Sequence, residues 1–389
     1  MSPRAPLRVC VVTGTRAEYG LLRPVMRRIV ASPRLELQTV VTGMHLAPQY
    51  GETWRAIAAD GFAIDERVEM LLAGDTPVAV TKSLGLGTIA FADAFARLRP
   101  DLVMVLGDRF ELLAAAQAAL IARIPVAHIS GGDRTEGAMD EAIRHAITKM
   151  SHLHFVTNAE AARRVRQLGE DPARIVHSGN PGLDDLARFE PLPRDEAERR
   201  LGLRLGAPSL LVTFHPVTLD EAPAAEPFEE LLAALDRFPE AALVFTYPNA
   251  DTFGQAIVAR LESYVAARAN AVAHRSLGQT LYWTAMRYCD AVVGNSSSGL
   301  LEAPTLKKPS VNIGDRQRGR VRAASTLDCP PQRDAIADAI VRALRLDCSG
   351  IVNPYGNGDA AEAIVAALEA LGDPRALVKK TFHDLEAAP

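Results

Sequence analysis

The chain has 389 residues, of which 48% are hydrophobic and 23% charged, a globular balance that excludes global disorder. At roughly 100–200 residues per domain, this length points to two domains. A net charge of −4 excludes a generally basic surface built for nucleic acid or an anionic membrane, so an anionic ligand has to be met by local basic residues.

In chain order, Leu7–Thr13, Leu35–Val41, Leu102–Leu106 and Val126–Ile129 read as strands. Their continuous apolar runs are what a parallel sheet covered on both faces requires. Helical patterns over Leu21–Val30, Thr88–Arg97, Phe110–Ala122 and Ala138–Met150 alternate with them, which predicts βαβ units and a doubly wound sheet. The rhythm breaks at the charged, proline-bearing Phe189–Gly206. It resumes with Ser209–Phe214, Ala242–Tyr247, Val272–His274, Ala291–Val293 and Ser310–Ile313, and Ala360–Leu371 reads as a helix. The expected division is residues 1–188 for a first Rossmann-like domain and 189–371 for a second. A last helix over 372–389 is expected to rejoin the first domain.

The cysteines, Cys10, Cys289, Cys329 and Cys348, are scattered, with no CxxC pair. Neither a disulfide framework nor a zinc site is expected, and a reducing cytoplasm fits this usage. The opening MSPRAPLRVCVVTGTR runs into a strand without an apolar leader, and no membrane span is expected.

Ligands of doubly wound sheets sit beyond the carboxyl ends of the strands, and the polar motifs fall there. Thr13–Tyr19 (TGTRAEY) combines a glycine turn, a helix start and Arg16, which makes either an anion site or an ordinary turn with a surface arginine. Gly107-Asp108-Arg109 follows a buried strand, where Asp108 can cap the next helix, serve a site, or both. His128–Gly137 (HISGGDRTEG) turns on its glycines into a helix whose core stripe is Ile143, Ala146, Ile147 and Met150, with Asp140 and Arg144 stacked beside it. Asp133, Glu136 and Asp140 then converge with Arg144 near Asp108. Crowded carboxylates push one another's pKa values apart and can supply both an acid and a base.

In the second half, His215 ends one strand and Tyr247-Pro248-Asn249 ends the next. Gly294–Glu302 (GNSSSGLLE) suits a diphosphate through backbone N–H groups and Ser296, Ser297 and Ser298, with Glu302 placed for ribose hydroxyls. Gly314–Arg320, including Arg316, adds basic residues for phosphate charge or forms a solvated loop.

TGTRAEYG, VLGDRFE, HISGGDRTEGAMDEAIRHAITKMSH, FHPVT, YPNAD and GNSSSGLLE, in this order, resemble the hydrolysing UDP-N-acetylglucosamine 2-epimerases of sialic-acid biosynthesis. The resemblance spans about residues 8–370. It implies the GT-B fold, two Rossmann-like domains facing a central cleft, and neither a metal nor a redox cofactor. The implied reaction is anti elimination of UDP followed by addition of water to a glycal, giving N-acetylmannosamine. The same family includes enzymes acting on UDP-2,4-diacetamido-2,4,6-trideoxyhexoses in the legionaminic acid pathway. A non-hydrolysing epimerase, a GT-B glycosyltransferase and a nucleotide-sugar sensor are the rival readings.

By this resemblance Asp108, Asp133 and Asp140 are the acid–base candidates, and Arg144 and Arg109 position the sugar. Arg16 and His215 lie near the diphosphate, with His215 counted among the catalytic residues. Glu136, Asn249, Ser296, Ser297, Ser298, Glu302 and Arg316 bind substrate, and His274 and Arg275 fall in the uracil-binding loop. Some members carry a carboxylate at the place of Ser130, and glutamate is common at the place of Asp133. The implied partners are UDP and the UDP-sugar, with no nucleic acid or membrane and with a homodimer or homotetramer as the assembly.

Overall fold

A computed structural model describes residues 5–74, 76–134, 139–215, 225–248 and 254–385. The chain divides into two compact units, Met1–Asp185 with Gly358–Pro389, and Leu186–Asn357.

The first unit runs β1 (Leu7–Thr13), α1 (Arg16–Ala31), β2 (Leu35–Thr42), α2 (Trp54–Ala59), β3 (Glu66–Val68) and α3 (Pro77–Leu98). It continues through β4 (Leu102–Leu106), α4 (Phe110–Ile121), β5 (Val126–Ile129), α5 (Met139–Met150), β6 (Leu153–Val156), α6 (Ala159–Gln167) and β7 (Ile175–His177). Its sheet has the order β3-β2-β1-β4-β5-β6-β7, all parallel. β4 and β5 are buried at every position, which explains the lack of polar alternation in their sequences. Val9, Val11, Leu22, Met26 and Ile29 pack on one face, and Cys10, Val12, Phe91, Phe95 and Leu112 on the other. Each such aliphatic side chain contributes about 1.5–3 kcal/mol on leaving water.

The chain leaves this unit through α7 (Gly182–Ala187). The second unit holds α8 (Arg194–Leu201), β8 (Ser209–Thr213), α9 (Ala225–Leu235), β9 (Ala242–Thr246), α10 (Gly254–Ala266), β10 (Ala271–His274) and α11 (Gly278–Tyr288). It ends with β11 (Ala291–Gly294), α12 (Ser298–Leu301), β12 (Ser310–Ile313), β13 (Thr326–Cys329) and α13 (Arg333–Ala343). The order is β10-β9-β8-β11-β12-β13, again all parallel. In both units the strand order reverses beside the first strand, between β1 and β4 and between β8 and β11, which is where ligands of such sheets bind.

Three features differ from the sequence reading. The helix α14 (Ala360–Glu369) belongs to the first unit, where Ala361, Ile364 and Leu368 join the core beside α1 and Asp184 accepts the Ala360 and Ala361 N–H groups at 3.1 and 2.7 Å. Its apolar stripe announced a helix but could not say which sheet it covers. Among the described residues, which end at 385, the last segment forms only a 3-10 turn, Pro374–Leu377, and no α-helix of the one expected over 372–389. Finally, α3 is, among the described residues, the one helix long and apolar enough to suit a membrane crossing. It lies along the sheet with Phe91, Ala94 and Phe95 buried. The cysteines are all free thiols.

Candidate active site

In the first unit the loops after β4 and β5 meet the start of α5. Arg144 is almost fully buried and donates to the Asp108 carboxylate and, at 2.8 Å, to the Asp133 carbonyl oxygen. Arg144 also lies 3.6 Å from Glu141 on its own helix. The pairing with Arg144 decides the role of Asp108: Arg109 occupies the N-cap position of α4, with no side-chain cap, and Asp108 serves the ion pair. Asp140 instead adds its charge to the surroundings of Arg109. The Asp133 carboxylate accepts the Thr157 hydroxyl at 2.6 Å and the Asn158 amide at 3.3 Å, which fixes the glycine turn to the end of β6.

His128 ties these pieces together. Its Nε2 lies 2.7 Å from the Gly107 carbonyl oxygen and its Nδ1 3.1 Å from the Thr148 hydroxyl. Burial pushes its pKa down to about 3, so the ring is neutral. The buried face of α5 accordingly includes Arg144 and Thr148 beside Ile147, while Ala146, expected in the core, is exposed.

Two carboxylates went unassigned in the sequence. Glu18 and Glu111 are buried, and both face Arg109, which lies 3.1 and 3.2 Å from Glu111 and 3.8 Å from Glu18. Glu18 also accepts the Gly14 N–H at 2.8 Å. Burial, then the Glu111 charge, raises its pKa to about 7 against the pull of Gly14 and Arg109. The sequence signal was the acid in the first turn of each helix, which reads equally as ordinary dipole compensation. Arg16 opens α1 and is exposed.

In the second unit β8, β11 and β12 end together. Asn295 is fully buried and its carbonyl oxygen receives Gln317 at 2.9 Å and Arg316 at 3.3 Å. Arg316 is therefore bound to the glycine–serine turn, not a member of a solvated loop. Gly294 has φ +137°, and an added Cβ would overlap the Thr213 carbonyl oxygen, so only glycine lets the two strand ends close. Ser296, Ser297 and Ser298 are half-buried, and α12 is a single turn. Ser298 meets the Tyr282 hydroxyl at 2.6 Å, and Glu302 accepts the Trp283 indole N–H at 2.9 Å. Burial raises the Glu302 pKa against its hydrogen bonds with Ser298 and the Trp283 indole. Neither Tyr282 nor Trp283 was singled out in the sequence, because an aromatic pair on an amphipathic helix looks like core.

His274 and Arg275 end the edge strand β10, three strand spacings or about 14 Å from β11. His274 faces the Leu201 carbonyl oxygen at 3.0 Å, and Arg275 lies over the Tyr247 ring while pairing with Glu262 at 3.1 Å. The structure thus groups His215, the serines and Arg316, and sets His274 and Arg275 apart. Glu136 and Asn249 lie outside the described residues. Among the described residues no group of three or more His, Cys, Asp or Glu could hold a metal ion.

Residues 27–369 match the sequence profile of the family described as UDP-N-acetylglucosamine 2-epimerase. The chain belongs to this family. A GDP/UDP-N,N'-diacetylbacillosamine 2-epimerase (hydrolyzing) of Campylobacter jejuni is 39% identical, covering 82% of this chain and 84% of the relative. A UDP-N,N'-diacetylbacillosamine 2-epimerase (hydrolyzing) of Legionella pneumophila is 34% identical over 94% and 96% of the two chains. The crystal structure of a Neisseria meningitidis UDP-GlcNAc 2-epimerase bound to UDP-GlcNAc superposes with a TM-score of 0.74 at 19% identity, covering 93% of this chain and 99% of that one. The fold is accordingly of GT-B type, built from two Rossmann-like units.

Proposed function

We propose that this member of the UDP-N-acetylglucosamine 2-epimerase family is a hydrolysing 2-epimerase whose substrate is a UDP-2,4-diacetamido-2,4,6-trideoxyhexose of the N,N'-diacetylbacillosamine type. Of the two sugars that the motif resemblance implies, the Campylobacter and Legionella relatives favour this one by their names. The observation that carries the chemistry is the Arg144–Asp108 ion pair beyond the carboxyl end of β4, with Asp140 on the first turn of the same helix as Arg144. UDP-N-acetylglucosamine is the second reading, favoured by the description of the family as a whole.

The reaction sets the demands. A base removes the C2 proton as the C1–O bond breaks and its electron pair leaves on the diphosphate, forming a C1=C2 double bond. Water then adds at C1 while a proton returns to C2 on the face that the nucleotide left, which inverts C2. The two proton transfers occur on opposite faces, so at least two acid–base groups are needed. Asp108, paired with Arg144, suits the base, and Asp140 and Glu18 are the candidates for the proton donor. Asp133, tied to Thr157 and Asn158, shapes the turn between them. Arg109 and Arg144 position the sugar. His215, Arg16, Arg316 and the serines meet the departing charge, Glu302 meets the ribose, and His274 and Arg275 lie toward the base.

The test is incubation of the protein in D2O with the UDP-diacetamido sugar, its GDP counterpart or UDP-N-acetylglucosamine, followed by NMR. Free nucleotide without an acceptor, and a manno-configured sugar deuterated at C2, are expected, fastest with the first. A product still carrying UDP, or nucleotide release only with an acceptor, overturns the reading.

For the assembly, we propose a homodimer formed by α3. Val78, Leu86 and Ile89 are exposed along one stripe, with Lys82 and Asp93 at mirrored distances from Gly87–Thr88. A two-fold axis there sets Lys82 of one copy against Asp93 of the other around apolar contacts. Light scattering should give a dimer for the wild type and a monomer for Ile89→Asp, and a wild-type monomer refutes it.

A further inference from the structure

Residues 374–385 cross the end of α5 opposite to Asp140. Lys380 donates to the Lys149 and Ser151 carbonyl oxygens, both at 2.6 Å, and to both oxygens of Glu170 at 2.9 Å. Glu170 is buried and also receives Lys149 at 2.8 Å and His154 at 3.0 Å. Arg174 donates to the Leu377 and Lys379 carbonyl oxygens at 2.8 and 3.3 Å, and the His383 N–H to Gly169 at 2.9 Å. The Phe382 ring lies against Gly169 so closely that an added Cβ there would overlap it. These residues form a strap fastened along its length.

The fastening is more elaborate than a surface tail needs. The last carbonyls of a helix have no partner within it, and an ammonium there satisfies them and meets the negative end of the helix dipole. A buried ion cluster adds little net stability over an apolar one, and its best-attested role is to fix register. An α-helix is stiff and rises about 1.5 Å per residue, so a shift at Lys149 travels undiminished to Arg144 and Asp140.

We propose that Lys380 is a positioning residue for the reaction: by joining Glu170 to the terminal carbonyls of α5, it sets the axial place of Asp140 and Arg144. This rests on the proposed reaction only for its turnover readout. An error of about 1 Å in such placement can cost about a hundredfold in rate.

The experiment compares Lys380→Met, which keeps the stem and removes the charge, with Lys380→Arg and wild type. For Lys380→Met, kcat should fall about ten- to a hundredfold. KM and UDP affinity should hold, the melting temperature should fall because the buried Glu170 loses one of its cations while keeping Lys149 and His154, and the α5 amides should exchange hydrogen faster. Lys380→Arg should recover most of the rate. A folded Lys380→Met with wild-type kcat overturns the proposal. Should that variant not fold, Arg174→Ala loosens the strap more mildly; lower kcat at unchanged KM supports the proposal, and equality with wild type overturns it. A wild type that turns over no nucleotide sugar sinks the functional reading instead. The strap then stands or falls on whether α5 exchange differs between Lys380→Met and wild type.

Discussion

Asn295 grips His215 by both of its backbone polar groups: its Oδ1 accepts the His215 N–H at 2.7 Å and its Nδ2 donates to the His215 carbonyl at 2.8 Å. One buried side chain thereby locks the end of β8 to the turn that follows β11. Asn295→Ala removes both of these buried hydrogen bonds, at about 1–3 kcal/mol each. The expected result is a destabilised second unit and UDP affinity reduced more than tenfold, read by denaturant unfolding and calorimetry. Unchanged values for both would refute the positioning of His215 by Asn295.

Asp108→Asn and Asp140→Asn should each lower the rate of UDP release by about a hundredfold or more. UDP affinity should stay within about tenfold. The two differ in stability. Asp108→Asn leaves the buried Arg144 with a weaker partner and costs about 1–3 kcal/mol, whereas Asp140→Asn should be nearly neutral. Equal unfolding midpoints for the two would contradict the ion pair.

Glu18 makes stability fall as pH rises. Its folded pKa, about 7, lies above its ordinary 4.5, so the fold prefers the protonated carboxyl. The cost of ionising it is absent below about 4.5, grows through this window and is complete above about 7. With about 1.4 kcal/mol per pKa unit, it amounts to a few kcal/mol. Glu18→Gln should therefore gain stability over wild type between pH 5 and 7 and hold a constant advantage beyond pH 8. Unfolding curves at those pH values that run parallel would show that the carboxyl is not strained.

Glu302→Gln keeps the shape of the side chain and its contact with the Trp283 indole while removing the charge. UDP affinity should weaken about tenfold, with uridine weakened equally and inorganic diphosphate unaffected. Diphosphate weakened as much as UDP would move Glu302 from the ribose to the phosphates.

What was legible in the sequence follows from burial. Strands buried on both faces, such as Leu102–Leu106 and Ala291–Gly294, carry unbroken aliphatic runs (LVMVL and AVV), and they lie where the runs predict. The short outer strands Glu66–Val68, Ile175–His177 and Thr326–Cys329 carry no such run and were not foreseen, nor was Leu153–Val156, which is buried throughout but interrupted by His154. Loop motifs marked the strand ends well, because glycine turns and charged residues have few other reasons to follow a buried strand. Pairings were harder. Arg144 has Asp140 one turn away, yet its partner Asp108 comes from a strand distant in sequence, and only the fold brings them together. The burial of Glu18 and Glu111 was hidden for the same reason, since each carboxylate looks like a solvated first-turn acid until Arg109 is placed between them.

The return of α14 to the first unit makes the second an insertion within the first, with the chain passing out at Asp185 and back at Gly358. During synthesis the second unit emerges before α14, so the first sheet waits with one flank uncovered, and Val9, Leu22 and Ile29, which share a core with Ile364 and Leu368, stay accessible to chaperones until α14 follows. A released chain ending at Asn357 should therefore give a protease-resistant second unit and a first unit that is still digested.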